Sequence, residues 1–231
     1  MMCQIDIKII KEGNSMYYLQ AVYAQISDKI GRISRQKWKN RSERSVLKNT
    51  DFTIFSQNCI GGIMYHDLGI QFQSPTVNML FTPKDFIKFM KDIHYYLEQD
   101  IIFTKTDKPY PVGKVGGEIM IGFLHYHSEE EVISAWDKRK ERINWNNIFV
   151  ISCDEGLTTK DMKEFDELPY ENKILFLSKA NPEIKCGIYC KGFSEQTDAR
   201  LLNFSNPFGK RYYQKYINYV KWLNKEKPFA L

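Results

Sequence analysis

Residues 51–68, DFTIFSQNCIGGIMYHDL, decide the reading of this chain. Phe52-Thr53-Ile54-Phe55 is a β-branched and aromatic run. Gln57-Asn58 is a short polar break, and from Ile60 the apolar residues recur at helical spacing. The stretch therefore reads as strand, turn, helix. That order sets Cys59 at the start of the helix, where the positive end of the peptide dipoles favours thiolate over thiol. A thiolate is a nucleophile or a metal ligand. The plainer role for the same residue is a small apolar filler in the core.

Downstream the same alternation continues. Thr76–Phe81 is strand-like, and Thr82-Pro83 is a helix opening whose buried face is Phe86, Met90, Ile93 and Leu97. Strands are expected at Ile101–Thr104 and Glu118–Leu124, joined through the turn-rich 108–117. Ser128 followed by Glu129, Glu130 and Glu131 caps a helix running to about Ile143 with Val132, Trp136 and Ile143 inward. Asn147–Cys153, Lys173–Ser178 and Gly187–Lys191 read as further strands, with a short helix at Thr159–Leu168. The pattern predicts an α/β fold, layered α/β/α around a largely parallel sheet.

Upstream, Ile5–Ile10 reads as a strand and Met16–Lys48 as a helix. Its apolar stripe is Leu19, Val22, Ile26, Ile30 and Ile33, and the remaining surface is loaded with Lys and Arg. Such a stripe either packs on its own body or lies on an anionic membrane. The tail, Phe208–Leu223, reads as a helix of tyrosines and lysines. The organisation expected is one domain: a basic N-terminal part (1–50) packed on the body, an α/β body carrying the site (51–200), and a basic aromatic C-terminal helix (201–231).

Charge is distributed unevenly. The chain of 231 residues carries +5, yet residues 1–50 hold ten Lys/Arg against four Asp/Glu, and 201–231 hold six against one. Basic ends attract anionic partners, or are simply solvated faces. No recognition module accompanies them, so nucleic acid is not expected as a partner. No secretory leader and no run of about 18 apolar residues is seen, which places the protein in the cytoplasm, with the inner membrane face as a docking place. The five cysteines are odd in number and are expected to be reduced. Cys186 and Cys190 lack a second ligand pair, so no metal is expected.

Four histidines narrow the search for a base. His66 lies about two helical turns beyond Cys59, too far for contact. His94 sits beside an apolar stripe and is expected in or near the core. His125 and His127 follow a strand and share one face by alternation. Strand ends next to a capped helix are where open α/β sheets place their ligand crevice. If Cys59 and His125 come from neighbouring strand ends they can meet, with histidine as the base for the thiol and Asp154 or Asn78 as the orienting group. Basic residues on the following helix, among them Lys138, Arg139, Lys140 and Arg142, suit a phosphate or sugar acid, or form a solvated face. The catalytic pair is thus Cys59 and His125. The substrate-binding candidates are Asn58, Gly61, Gly62, His66, Ser74, Asn78, His127, Arg139 and Arg142. Dinucleotide, P-loop, serine-hydrolase and zinc-protease motifs are all missing.

The stretches NCIGGIMYHDLG, QFQSPTVNMLF, YPVGKVGGEIMIGFLHYHSEEEVISAWDKRKERINWNNIFV and LPYENKILFLSK, in that order, resemble a bacterial family of unknown function. Its members lie in capsule, exopolysaccharide and lipopolysaccharide gene clusters and are often labelled exopolysaccharide biosynthesis proteins or acetyltransferases. The resemblance spans about Asp51 to Ser178. It implies a layered α/β fold and a role in surface-glycan assembly. The order of a helix-opening cysteine and a later strand-end histidine also resembles papain-like proteins, which implies Cys59 as nucleophile and His125 as base.

The leading expectation is an enzyme that modifies a glycan or a polyprenyl-phosphate-linked sugar by acyl transfer through a Cys59 thioester. Backbone N–H groups of Ile60–Gly62 would hold the oxyanion, and glycines there would admit a substrate to the backbone. No cofactor is expected to be held tightly, and an acyl donor such as acetyl-CoA would be the co-substrate. The alternatives are a metal-independent glycosyltransferase that holds a nucleotide diphosphate with Arg139 or Arg142, and a non-catalytic partner of the assembly machinery.

Overall fold

A computed structural model describes residues 26–191 and 206–226. Four strands that read as continuous apolar runs form a parallel sheet. They are β1 (Thr53–Ser56), β6 (Ile148–Cys153), β7 (Asn172–Leu177) and β8 (Gly187–Tyr189), in the order β1-β6-β7-β8. Thr53 stands beside Ile148 and Ile151 beside Ile174. Both faces of the sheet are covered, which is why its strands carry no polar alternation. Phe55, Val150 and Leu175 point into one core, while Ile54, Phe149, Ile151 and Phe176 point into a second on the opposite face.

Between β1 and β6 the chain builds a second sheet. It contains β2 (Leu80–Phe81), β3 (Ile101–Thr104), β4 (Val112–Val115) and β5 (Ile119–Gly122), antiparallel in the order β2-β5-β4-β3. The α/β layering stands as expected, but half the strands lie in this antiparallel unit, and β4 falls inside the segment that reads as turn-rich. Gly116 and Gly117, at φ 60° and 76°, close the β4–β5 hairpin in the left-handed region that glycine adopts without strain. The buried face of this sheet shares the first core with helices α4 (Pro83–Lys91), α5 (Ile93–Glu98), α6 (Glu129–Lys140) and α7 (Thr159–Asp166). Helix α3 (Ile60–Leu68) and the terminal helix α8 (Tyr219–Leu223) cover the second core.

Several boundaries differ from the sequence reading. Thr76–Asn78 is turn rather than strand. Ser74 Oγ bonds both the Thr76 hydroxyl and the Thr76 N–H, and these local bonds outcompete a ladder. The single helix expected beyond Thr82 breaks at Asp92 (φ −133°, ψ 51°), although Phe86, Met90, Ile93 and Leu97 are all buried. The expected tail helix is a 3₁₀ turn (Tyr213–Lys215) followed by α8 alone. Residues 26–34 are helical (α1), continue through a π-helical turn (Arg35–Lys39) and end in α2 (Asn40–Val46). The strand expected at 5–10, and Leu19 and Val22 of the helical stripe, lie outside the described residues. The other three stripe residues do not pack on the body: Ile26, Ile30 and Ile33 are 53%, 46% and 47% exposed. Among the described residues, no helix is long and apolar enough to cross a membrane.

Candidate active site

Cys59 is set by a dense local network at the end of β1. Gln57 N–H donates to Ile151 O, continuing the pairing with β6, and Phe81 N–H donates to Gln57 O, joining the second sheet at the same point. The buried Gln57 amide also donates to Phe81 O and accepts from the Cys153 thiol. Asn58 Oδ1 accepts from Ile60 N–H and Ser56 Oγ from Gly61 N–H, so two N–H groups of the first turn of α3 are already partnered. Cys59 is the N-cap of α3 and half-buried, and its carbonyl accepts from Ile63 N–H at 2.9 Å.

His125 arrives from the other sheet. Beyond β5, Phe123 N–H donates to Pro111 O, and Tyr126 is buried with its hydroxyl on Val77 O. Ser128 Oγ then caps α6 by accepting from Glu131 N–H. Between these anchors the His125 Nε2 lies 3.7 Å from Cys59 Sγ, within reach of a sulfur hydrogen bond, across 66 residues of chain. In the tautomer with its proton on Nδ1, Nε2 accepts from the thiol. The residue is exposed at the surface, yet partial desolvation of the ring holds it below its ordinary 6.5, so it is neutral at pH 7 and fit to act as a base. Sγ, for its part, sits where the helix favours negative charge. The pair can ionise a thiol, hold a proton and return it.

The orienting group expected from sequence is not on His125. No described residue hydrogen-bonds its Nδ1, and Asp154 Oδ2 is taken by the Ser178 N–H (2.7 Å) and hydroxyl (2.8 Å). Asn78 sits nearer, at φ 65°, with its Oδ1 facing Gly62 on the cysteine helix.

Several substrate-binding candidates serve the fold instead. A Cβ on Gly61 would lie 2.8 Å from Ser56 Cβ, and one on Gly62 3.1 Å from Val77 Cγ1. These glycines are accounted for by the close packing of α3 on its neighbours. Asn58 is 3% exposed and holds the turn, and Ser74 is wholly buried on Thr76. Within Ile60–Gly62 only the Gly62 N–H has no acceptor among the described residues, so the oxyanion role narrows to it. His66 is exposed at the last turn of α3 beside Asp67, and His127 is exposed, with its N–H on Glu131; neither joins the pair. His94 is exposed and stacks on Trp145 at 4.3 Å.

Arg139 is tied to the residue after His125, whereas Arg142 reaches the Phe72 carbonyl. Arg139 donates to Val77 O and the Tyr126 hydroxyl, and its guanidinium lies 5.2 Å over the Phe72 ring. Lys138, Arg139 and Arg142 line a cavity of about 260 Å³ along α6, with Glu131, Ser134 and Ala135. Gln57 and Tyr126, which lock the two halves together, were not legible as site residues; the one hint was Tyr126 lying between two histidines. Among the described residues, no group of three His, Cys, Asp or Glu side chains is placed to hold a metal. Cys186 and Cys190 are free thiols, and burial pushes Cys190 up to about 12.

The sequence profile of the family described as "Domain of unknown function (DUF1919)" matches residues 30–224. An uncharacterized protein of Haemophilus influenzae is 41% identical over 187 residues, covering 80% of this chain and 90% of that relative.

Proposed function

Because the chain belongs to this domain family of unknown function, we propose a role from the site itself: covalent acyl transfer through Cys59. The observation that carries it is the 3.7 Å contact between a thiol at a helix start and an imidazole kept neutral by partial desolvation. His125 Nε2 takes the thiol proton as sulfur attacks the acyl carbonyl of a thioester donor such as acetyl-CoA. The tetrahedral oxyanion is met by the Gly62 N–H and the positive end of α3. Collapse expels the donor thiolate, which receives the proton from His125 and leaves an acyl-Cys59 thioester. An acceptor hydroxyl, deprotonated by the same imidazole, then attacks that thioester and restores the thiol.

The acceptor we propose is a sugar hydroxyl of a surface polysaccharide or of its polyprenyl-phosphate-linked precursor. Support for that pathway is the likeness of the four sequence blocks to proteins of capsule and exopolysaccharide gene clusters.

The test is intact-mass analysis after incubation with acetyl-CoA. The expected product is one acetyl group on Cys59, removed by hydroxylamine and lost in Cys59→Ser and Cys59→Ala. An adduct that persists in Cys59→Ala would overturn the nucleophile. The basic cavity of Lys138, Arg139 and Arg142 supports a second reading, a metal-independent glycosyltransferase holding a nucleotide diphosphate. That reading expects a UDP- or GDP-sugar to raise the melting temperature, with the rise lost in Arg139→Gln; acyl transfer expects no rise.

A further inference from the structure

The N-terminal helix is inside-out. Its buried positions are small or polar: Ser27 (7% exposed), Gly31, Arg35 (7%) and Asn40 (6%). Ile26, Ile30 and Ile33, at spacings of four and three, form a stripe facing solvent. Trp38, 67% exposed, comes five residues after Ile33, about one turn of the π-helical segment that carries it. The other side of the helix is covered by the C-terminal part. The turn of Pro207–Gly209 is held against the same helix by Ser34 Oγ donating to Pro207 O at 2.6 Å, and Gly209 is packed on Arg35 and Gly31. Phe208 at its tip is 81% exposed. Solvated helices of globular proteins turn such residues inward, so an outward isoleucine stripe ending in an aromatic marks a surface that meets another phase or molecule.

The charge around the stripe selects the occupant. Lys29, Lys37 and Arg41 are exposed. Lys29 is three residues after Ile26, Lys37 four after Ile33 and Arg41 three after Trp38, so each cation flanks an apolar side chain. Residues 26–46 carry seven Lys/Arg against two Asp/Glu. A two-fold dimer through this face would bring those cations against their own copies. An anionic bilayer offers hydrocarbon for the isoleucines, an interfacial layer for Trp38 and phosphates for the rim. We infer that the outward face of residues 26–41 docks the protein on an anionic lipid bilayer, the helix lying in the plane of the interface. The inference does not depend on the chemistry of Cys59.

The experiment is co-sedimentation of the full chain with vesicles. Binding is expected with vesicles rich in phosphatidylglycerol, to fall with rising salt and to be weak with phosphatidylcholine alone. Replacing Lys29→Gln, Lys37→Gln and Arg41→Gln is expected to weaken it about five-fold per charge. Ile30→Ser with Ile33→Ser is expected to abolish it; both variants change exposed side chains, and an unchanged melting temperature would certify their fold. Tryptophan emission should shift to the blue on binding, and the shift should be lost in Trp38→Phe. Equal binding to neutral vesicles, no binding at low salt, or a dimer in sedimentation equilibrium that the isoleucine variants dissociate would each overturn the inference. Acyl-Cys59 formation measured on the same variants should be unchanged, so failure of docking and failure of the acyl reading are distinguishable.

Discussion

His125 carries the clearest pH argument at the scale of single residues. Partial desolvation holds its folded-state value below 6.5, so the imidazole remains a competent base to lower pH than a fully solvated histidine does. The rate of Cys59 alkylation, followed peptide by peptide, should rise through an acid limb with its midpoint below 6.5. His125→Asn should remove that limb and slow alkylation by about 10²-fold. If the limb survives the substitution, another group deprotonates the thiol. The linkage has the same sign: the fold binds fewer protons here than the unfolded chain. The contribution to stability is therefore complete above pH 6.5 and lost as pH falls through the folded value.

Among the elements, α3 matters most because it carries Cys59 at one end and a buried carboxylate at the other. Gly69, at φ 65°, closes the helix in the left-handed conformation. Just before it, Asp67 Oδ2 accepts from Arg211 Nε at 2.6 Å and Oδ1 from Arg211 Nη2 at 2.9 Å, with Asn40 on the same carboxylate. One ion pair therefore fixes the helix against α2 and the C-terminal segment together. Burial by itself would raise Asp67, but the hydrogen bonds and charge of Arg211, with Arg35 behind it, outweigh burial and hold the carboxyl below its usual range. Asp67 thus stabilises the fold fully above pH 3.8, and that support is lost as pH falls through the lower folded value. Arg211→Ala leaves the charge buried and unpaired and should cost about 3–5 kcal/mol in denaturant unfolding. A loss below about 1 kcal/mol would mean that the pair is solvated and carries little.

The Cys59–His125 contact is a property of the whole molecule, because each member follows a strand of a different sheet. Gln57 is the staple between them: its backbone joins β6 and Phe81, and its side chain bridges Phe81 O and Cys153. Gln57→Ala should leave buried partners unsatisfied and cost about 1–3 kcal/mol. It should also slow Cys59 alkylation, since the imidazole would no longer be held at 3.7 Å. Stability lost with the alkylation rate intact would show that the two sheets keep register without it.

Local chemistry was written plainly in the chain. The apolar run before Gln57, the small residues after Cys59, and Ser128 ahead of three glutamates are short-range signals, and each element they predict exists. So Cys59 at a helix start and His125 just before a capped helix were determined by the sequence alone. The long-range pairings were not. Strand β4, with Gly113 and Lys114, lacks a strong strand signature, and it takes its place through hydrogen bonds to β3 and β5. Without that antiparallel unit nothing says that a histidine 66 positions away returns to the cysteine, nor that Asp154 is claimed by Ser178. The helical stripe of isoleucines was visible too, but a period gives the existence of a face and not its direction. Only packing decided that Ser27, Gly31 and Arg35 turn inward and the isoleucines out: the turn at Gly209 packs on Gly31 and Arg35, and the charge of Asp67 favours the Arg35 guanidinium on that side.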